Sequence, residues 1–334
     1  LGRVIADKAA MAATLPIEDA LPDLLAALSR AGRAVLQAPP GAGKTTRVPL
    51  ALLDAGITGR ILMLEPRRLA ARAAAERMAD QLGERPGQTV GYRIRGTTKV
   101  SGTTRIEVVT EGILTRMLQN DPELPGVGIV IFDEFHERSL QADLGLALCL
   151  EVTETLRDDL QLLVMSATLD AEPVAALMGA PVVTSQGRSF PVTEHWLDAA
   201  LPPRSRRPQA LADLIRRAES ETRATGGAIL AFLPGEGEIR QCAAALAGRL
   251  PGDCQVRPLY GALPFADQQA ALAPLTSGRK IVLATSIAET SLTIPDVRVV
   301  VDGGQARRSR FDPGAGMARL VTERVTRAEA VQRA

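Results

Sequence analysis

The stretch Pro39-Pro40-Gly41-Ala42-Gly43-Lys44-Thr45-Thr46 stands between a short apolar run, Ala34–Gln37, and a segment rich in Leu and Ala, Thr46–Asp54. The apolar run predicts a buried strand, and the following segment predicts a helix. Gly41 and Gly43 let the backbone between them curl, so that successive N–H groups point at one anion. The N-terminus of the helix adds unpaired N–H groups and a positive dipole end. The stretch therefore predicts an anion site at the end of a strand.

The residue types of this loop fit a nucleoside triphosphate with Mg²⁺. Lys44 can reach the β- and γ-phosphates, and the Thr45 hydroxyl can ligate Mg²⁺. The usual pattern has Gly six residues before the Lys, where this chain has Ala38. An ordinary tight turn is the alternative. We predict that ATP or another NTP contacts the loop residues Gly41, Ala42, Gly43, Lys44, Thr45 and Thr46.

Two carboxylates, Asp133 and Glu134, follow the apolar run Val127–Phe132. Such a run is typical of a central parallel strand whose C-terminal end opens into a site. We predict that Asp133 holds Mg²⁺ through a water, because Mg²⁺ keeps several of its waters. Glu134 is predicted to orient or deprotonate the attacking water. The alternative is a solvated strand end before a helix N-terminus, where acids are favoured anyway.

The run Asp133-Glu134-Phe135-His136 resembles motif II of the DEAH-box helicases, with Phe135 where the family name has Ala. Further runs resemble other motifs of that family, in order along the chain. They are Leu64–Ala71 (motif Ia), Thr110–Gly112 (Ib), Ser166–Thr168 (III), Phe232–Gly235 (IV) and Ala284–Ile294 (V). In motif V, Ser286 stands where Asn is common. The resemblance runs from about Leu15 to the last residue and is strongest to the bacterial HrpB-type branch.

The resemblance implies an α/β fold of two tandem RecA-like domains, each a mostly parallel sheet with helices on both faces, with ATP between the domains. We predict a first, ATP-binding domain at 15–187 and a second, helicase C-terminal domain at 188–334 that is incomplete at motif VI. Residues 1–14 are interpreted as an N-terminal extension, partly disordered or vector-derived.

Apolar runs that alternate with helical patterns support this fold independently of the resemblance, because such alternation is typical of parallel sheets covered by helices. The first series of runs is Ala34–Gln37, Ile61–Leu64, Arg105–Val109, Val127–Phe132 and Leu160–Met165. The second is Ala228–Phe232, Gln255–Leu259, Ile281–Ala284 and Val297–Val301.

The resemblance also implies roles for residues outside the loop. It implies that the catalytic residues are Glu134, Asp133, His136 and Lys44, and that the Mg²⁺ ligands are Thr45 and Asp133. It implies further nucleotide contacts at Arg77, Ser291 and Thr293. The coupling residues that it implies are Ser166 and Thr168. RNA contacts fall on Arg67, Arg68, Thr110, Glu111, Gly235 and Thr285. These residue types favour the RNA backbone, so we expect salt-dependent binding of single-stranded RNA with little sequence preference. Two alternatives stay open: Arg67 and Arg68 as an ordinary charged helix start, and Ser166–Thr168 as a helix N-cap.

Base recognition is predicted to be weak. The resemblance places Arg77 against one face of the adenine, and Leu272 stands where many family members have an aromatic residue for the other face. No Gln-centred motif of the kind found in DEAD-box relatives precedes the loop. We expect little discrimination among ATP, GTP, CTP and UTP.

The last residues, Gln332-Arg333-Ala334, resemble the opening of motif VI, whose family pattern continues Gly-Arg-x-Gly-Arg. In the family those arginines reach the γ-phosphate, and an arginine finger is worth roughly 10³–10⁵ in rate. The chain as given is therefore expected to bind nucleotide but to hydrolyse it weakly. The segment Arg307–Val321 resembles the β-hairpin that helps to separate strands in the family; a hairpin that only closes the sheet is the alternative.

Composition sets wider limits. At 334 residues the chain is long enough for two cores. Only 3% of the residues are aromatic, so base stacking cannot be the main mode of nucleic-acid binding. Three scattered cysteines and two histidines argue against a zinc site or a disulfide framework. No apolar run has the length of a membrane span. We expect a cytoplasmic monomer.

These observations together predict an ATP-dependent RNA helicase or translocase, moving 3′→5′ as the resemblance implies. Two other functions stay open. One is a DNA-directed helicase of the same superfamily. The other is a nucleotide-gated RNA-binding module that does not unwind.

Overall fold

The structure is a computed structural model that describes residues 15–167, 171–186, 192–197, 207–289, 294 and 296–333. The predicted N-terminal extension at 1–14 lies outside the described residues. The chain divides into two units, Leu1–Phe190 and Pro191–Ala334. The boundary predicted at 187/188 stays a prediction, because residues 187–191 are not described.

An eight-stranded sheet forms the centre of the first unit, in the order β4-β3-β5-β2-β6-β7-β1-β8. Only the β3–β4 pair is antiparallel; the other neighbours are parallel. The strands are β1 Arg33–Gln37, β2 Arg60–Leu64, β3 Val90–Ile94, β4 Thr97–Lys99, β5 Ile106–Val109, β6 Val127–Phe132, β7 Gln161–Ser166 and β8 Val182–Thr184.

Helices cover both faces of this sheet. A strand can contribute to a core on either face, because successive strand residues point to opposite faces. In β1, Leu36 joins one apolar core and Val35 joins the other. The first core includes α1, α2 and α3, and the second includes α4, α5 and α6. The helices are α1 Leu21–Ala31, α2 Lys44–Asp54, α3 Arg68–Gln81, α4 Glu111–Asn120, α5 Leu140–Thr155 and α6 Glu172–Met178.

The second unit has a smaller parallel sheet in the order β10-β11-β9-β12, followed by the antiparallel hairpin β13–β14. Helices α7 and α8 pack on the sheet through a core that includes Ile215, Ile229 and Leu283. The elements are α7 Arg207–Thr222, β9 Ala228–Phe232, α8 Glu236–Leu246, β10 Cys254–Leu259, α9 Phe265–Leu272, β11 Arg279–Ala284, β12 Val297–Asp302, β13 Gln305–Asp312, β14 Met317–Arg324 and α10 Arg327–Arg333.

The prediction of two α/β units with mainly parallel sheets is confirmed. Every predicted apolar run coincides with a strand to within one or two residues, whereas β3, β4 and β8 are additional. Cys149 and Cys242 are buried and free, as expected for small apolar residues, and Cys254 is free and half-buried. None of the helices in the described ranges has the length and apolar character needed to cross a membrane.

Candidate active site

The loop between β1 and α2 has the backbone that its glycines predict. Gly41 has φ +76° and Gly43 has φ +93°, both in the left-handed region that favours glycine. Gly43 is the N-cap of α2, which begins at Lys44, two residues before the predicted start. Lys44 and Thr45 therefore lie in the first helical turn, where free N–H groups and the dipole favour an anion.

Lys44 and Glu134 meet inside the first unit. The Lys44 Nζ atom lies 3.0 Å from Glu134 Oε1, and both side chains are almost fully buried. Burial lowers the pKa of Lys44, but the charges of Asp133, Glu134 and Glu65 outweigh that effect and leave the pKa raised. Lys44 therefore stays charged. The topology explains the meeting, because β1 and β6 are both neighbours of β7.

Asp133 has one carboxylate oxygen in use and one spare. Its Oδ1 accepts a hydrogen bond of 2.8 Å from the Glu134 N–H. Its Oδ2 is buried and has no hydrogen-bond partner among the described residues. Burial and the charge of Glu134 raise the pKa of Asp133 to about 6, against the lowering effects of Lys44 and the nearby Thr45 hydroxyl. A spare buried carboxylate oxygen close to a hydroxyl is a donor set that fits Mg²⁺.

His136 connects this carboxylate pair to β7. Its Nε2 lies 3.4 Å from Glu134 Oε2, and its Nδ1 accepts a hydrogen bond of 3.2 Å from the Ala167 N–H. Burial and the charge of Lys44 lower the pKa of His136, which favours the neutral ring that such an acceptor requires. The sequence singled out Ser166 and Thr168 for this contact. Ser166 ends β7, the observed bond uses the backbone of Ala167, and Thr168 lies outside the described residues.

The predicted RNA-contacting residues of the first unit lie after neighbouring strands. Arg67, which follows β2, forms an ion pair of 3.3 Å with Glu137, next to His136. Arg68 is the first residue of α3. Thr110 and Glu111 begin α4 after β5, and burial raises the pKa of Glu111. The ion pair between Arg67 and Glu137 was not predicted, because the two residues are 70 positions apart in the sequence.

Arg77 lies on α3 and lines a cleft of about 420 Å³. Arg85 and the acidic side chains of Glu76, Asp80 and Glu84 line it too. Arg77 is thus exposed among acidic side chains, and its contact with the adenine stays a prediction. Leu272 is the last residue of α9, in the second unit.

In the second unit, Gly235 and Thr285 follow the paired strands β9 and β11. Gly235 is the N-cap of α8, and the Arg307 side chain covers it so closely that a Cβ at Gly235 would lie 2.6 Å from Arg307 Nη1. Arg307 also forms an ion pair of 2.9 Å with Glu238. Ser291 and Thr293, the other predicted nucleotide contacts, lie outside the described residues.

Arg333, at the predicted opening of motif VI, is buried within the second unit. Its Nε lies 2.8 Å from Glu289 Oε1 and its Nη1 lies 2.7 Å from Asp302 Oδ1. Its guanidinium lies 4.6 Å from the ring centroid of Phe232. This arginine therefore joins α10 to the predicted motif V and to the ends of β9 and β12.

Two family models match the chain. One is described as DEAD/DEAH box helicase and matches residues 17–177; the other is described as Helicase conserved C-terminal domain and matches residues 206–328. The chain belongs to the DEAD/DEAH box helicases. Its two units are the tandem RecA-like domains of that family.

Curated relatives and a solved structure agree with this assignment. ATP-dependent RNA helicase HrpB of Escherichia coli (strain K12) is 55% identical over 324 residues, which cover 96% of this chain and 39% of the relative. HrpA of the same organism is 35% identical, over 96% of this chain and 25% of the relative. A crystal structure of E. coli DEAH/RHA helicase HrpB matches with a TM-score of 0.88 and 54% identity, over 96% of this chain and 40% of that one. The chain thus spans about two fifths of the length of HrpB.

Proposed function

We propose that this chain binds ATP with Mg²⁺ and couples ATP hydrolysis to movement on single-stranded RNA. The observation that carries the proposal is the 3.0 Å contact between Lys44 and Glu134, beside the spare oxygen of Asp133. It joins the phosphate-binding loop to the carboxylate proposed for water. Relatives named ATP-dependent RNA helicases support the choice of nucleotide and of nucleic acid.

Each residue near Lys44 has a separate proposed task. The loop N–H groups and Lys44 hold the phosphates, while Thr45 and Asp133 hold Mg²⁺, Asp133 partly through water. When bound, Mg²⁺ neutralises charge on the β- and γ-phosphate oxygens. Glu134 orients the attacking water and takes up its proton. A phosphate that contacted Lys44 would compete with Glu134 for the same ammonium group, which would leave this carboxylate available to water.

His136 is proposed to couple the nucleotide site to motif III rather than to bind metal. Its ring lies between Glu134 and the Ala167 N–H. A change at Glu134 would therefore be passed to the end of β7 through one neutral imidazole. Ser166 and Thr168 remain proposed members of this path.

RNA is proposed to bind through Arg67, Arg68, Thr110 and Glu111 in the first unit, and through Gly235 and Thr285 in the second. The first four are the more strongly supported, because they follow neighbouring strands close to motif II. We expect the affinity for single-stranded RNA to fall steeply with salt, since a tenfold rise in salt should lower it by about fivefold for each phosphate contacted.

The Glu134→Gln variant tests the enzymatic proposal. It keeps the shape of the side chain but removes its charge, so RNA-stimulated ATP hydrolysis should fall by at least about a hundredfold while ADP binding survives. Glu151→Gln, on the exposed surface of α5, is the matched control. ATP hydrolysis by Glu134→Gln at the wild-type rate would contradict the proposal.

The choice between RNA and DNA and the preference for one nucleotide base need separate assays. Unwinding of matched RNA and DNA duplexes with 3′ or 5′ overhangs would separate an RNA helicase from a DNA helicase and would test the 3′→5′ direction.

Hydrolysis rates for ATP, GTP, CTP and UTP should agree within about tenfold, because Leu272 cannot stack on a base as an aromatic ring does. A hundredfold preference for ATP would contradict the role proposed for Arg77 and Leu272.

A further inference from the structure

A short segment before α1, the 3₁₀ turn Pro16–Ala20 with Leu15 ahead of it, packs directly against the phosphate-binding loop. The Ile17 N–H donates a hydrogen bond of 3.3 Å to the Ala42 carbonyl. The Leu15 side chain lies over Gly43, so closely that a Cβ there would be 2.7 Å from Leu15 Cδ1. None of the motif resemblances found in the sequence includes this segment.

The segment is held on two further sides. Ser185 Oγ donates a hydrogen bond of 3.0 Å to the Pro16 carbonyl, and the Ser185 N–H donates one of 2.8 Å to Gln37, the last residue of β1. Glu18 Oε1 lies 2.5 Å from Arg47 Nε on α2. Ile17 is fully buried in the same core as Ala42. The segment thus has fixed contacts to the strand before the loop and to the helix after it.

The hydrogen bond to Ala42 has a consequence for the neighbouring peptide. In a planar trans peptide, the C=O of one residue and the N–H of the next point in opposite directions. Because the Ala42 carbonyl points toward Ile17, the Gly43 N–H must point away from the segment. A loop with two glycines has many backbone conformations to choose from. This bond and the Leu15 side chain restrict that choice at the Ala42–Gly43 peptide.

We propose that Leu15, Ile17 and Glu18 are positioning residues that orient the Gly43 N–H for the phosphates of a nucleoside di- or triphosphate. They do not touch the nucleotide; they reduce the conformational freedom that the loop would lose on binding it. The inference rests on the proposed nucleotide site, and it adds a segment that belongs to none of the family's motifs as read from the sequence.

Calorimetric binding of Mg-ADP to the whole chain tests this inference. Leu15→Ala and Glu18→Gln should each raise the Kd for ADP by about three- to tenfold, since each loosens the loop without removing a phosphate ligand. Leu25→Ala, a half-buried leucine of α1, and Asp19→Asn, an exposed acid of the same turn, are the matched controls and should leave the Kd unchanged.

Charge reversal separates positioning from simple stabilisation. Glu18→Arg and Arg47→Glu should each weaken ADP binding, and the double variant should recover it. The Kd is measured well below the melting temperature of each variant, so a merely structural role would lower the Tm and leave the Kd unchanged; that result would overturn the inference. Absence of ADP binding by the wild-type chain would instead overturn the proposed function itself.

Discussion

Glu134 has a left-handed backbone, with φ 51°, although it carries a full side chain. This conformation costs roughly 1–2 kcal/mol in a residue other than glycine. Three contacts oppose the cost: the Glu134 N–H donates to Asp133, and the carboxylate contacts Lys44 and His136. Strain of this kind concentrates at functional sites. The sequence indicated the carboxylate but could not indicate its backbone, since nothing in Asp-Glu-Phe-His demands a positive φ.

Replacing Lys44 removes its ion pair with Glu134 and tests its proposed contact with the phosphates. Lys44→Ala removes the charge nearest to Glu134 and the cation proposed for the phosphates, so we expect the affinity for ADP to fall by about a hundredfold. Lys99→Ala, at an exposed lysine of β4, is the control and should bind ADP like the wild type. Titration calorimetry measures both, and an unchanged Kd in Lys44→Ala would contradict the proposed phosphate site.

Replacing His136 tests the path to β7. His136→Ala leaves the Ala167 N–H without its acceptor, and we expect RNA stimulation of ATP hydrolysis to fall by about tenfold while ADP affinity stays unchanged. The readout is the ratio of hydrolysis rates with and without RNA. Loss of ADP binding with an intact ratio would show that His136 serves the nucleotide and not the coupling.

Among the structural elements, the strands show where the sequence was informative. Runs such as Val127–Phe132 predicted their strands well because a strand buried on both faces is continuously apolar. The strand β3 was missed because Val90-Gly91-Tyr92-Arg93-Ile94 is mixed in character and includes a glycine. Gly91 is required there by tertiary contact, since a Cβ would lie 2.4 Å from the Lys99 carbonyl of β4. A single segment cannot reveal such a neighbour.

A buried carboxylate ties three of these strands together. Glu107 on β5 is fully buried, and its oxygens lie 3.1 Å from Arg60 on β2 and 2.8 Å from Arg93 on β3. We expect Glu107→Ala to lower the free energy of unfolding of the first unit by about 2 kcal/mol. This loss is smaller than the loss expected for one partner of a fully buried ion pair, because both arginines are partly exposed.

Chemical denaturation followed by circular dichroism measures this effect. Asp159→Ala is the control, because Asp159 is largely exposed in its ion pair with Arg157, and it should cost less than about 1 kcal/mol. Equal effects of the two substitutions would contradict the structural role of Glu107.

At the scale of the whole molecule, the two units have separate apolar cores. Length and the alternation of apolar runs were enough to predict two α/β units, because each series of strands needs helices to cover it. Contacts distant in sequence were beyond such patterns. The packing of Leu15 on Gly43 and the ion pairs of Arg333 with Glu289 and Asp302 are examples.

Separate cores predict separate responses to core damage. Leu283→Ala in β11 should cost about 2–5 kcal/mol and reduce hydrogen-exchange protection mainly in strands β9 to β12. Leu163→Ala in β7 should do the same for the first unit only. Both leucines are fully buried, which makes the two substitutions a matched pair. Equal loss of protection in both units from either substitution would contradict independent cores.

The hairpin β13–β14 has a consequence for how copies of this chain behave in concentrated solution. Phe311 and Met317, near its turn, are each 68% exposed, and an open β-edge with apolar side chains invites strand pairing between molecules. Arg310 and Arg319 face each other across the two strands. Arg310 forms an ion pair of 2.8 Å with Glu323, and Arg319 forms one of 3.4 Å with Asp312, so a second hairpin approaching this edge would have to displace solvated charged groups. We therefore expect these charged side chains to limit pairing between copies of the hairpin at high protein concentration.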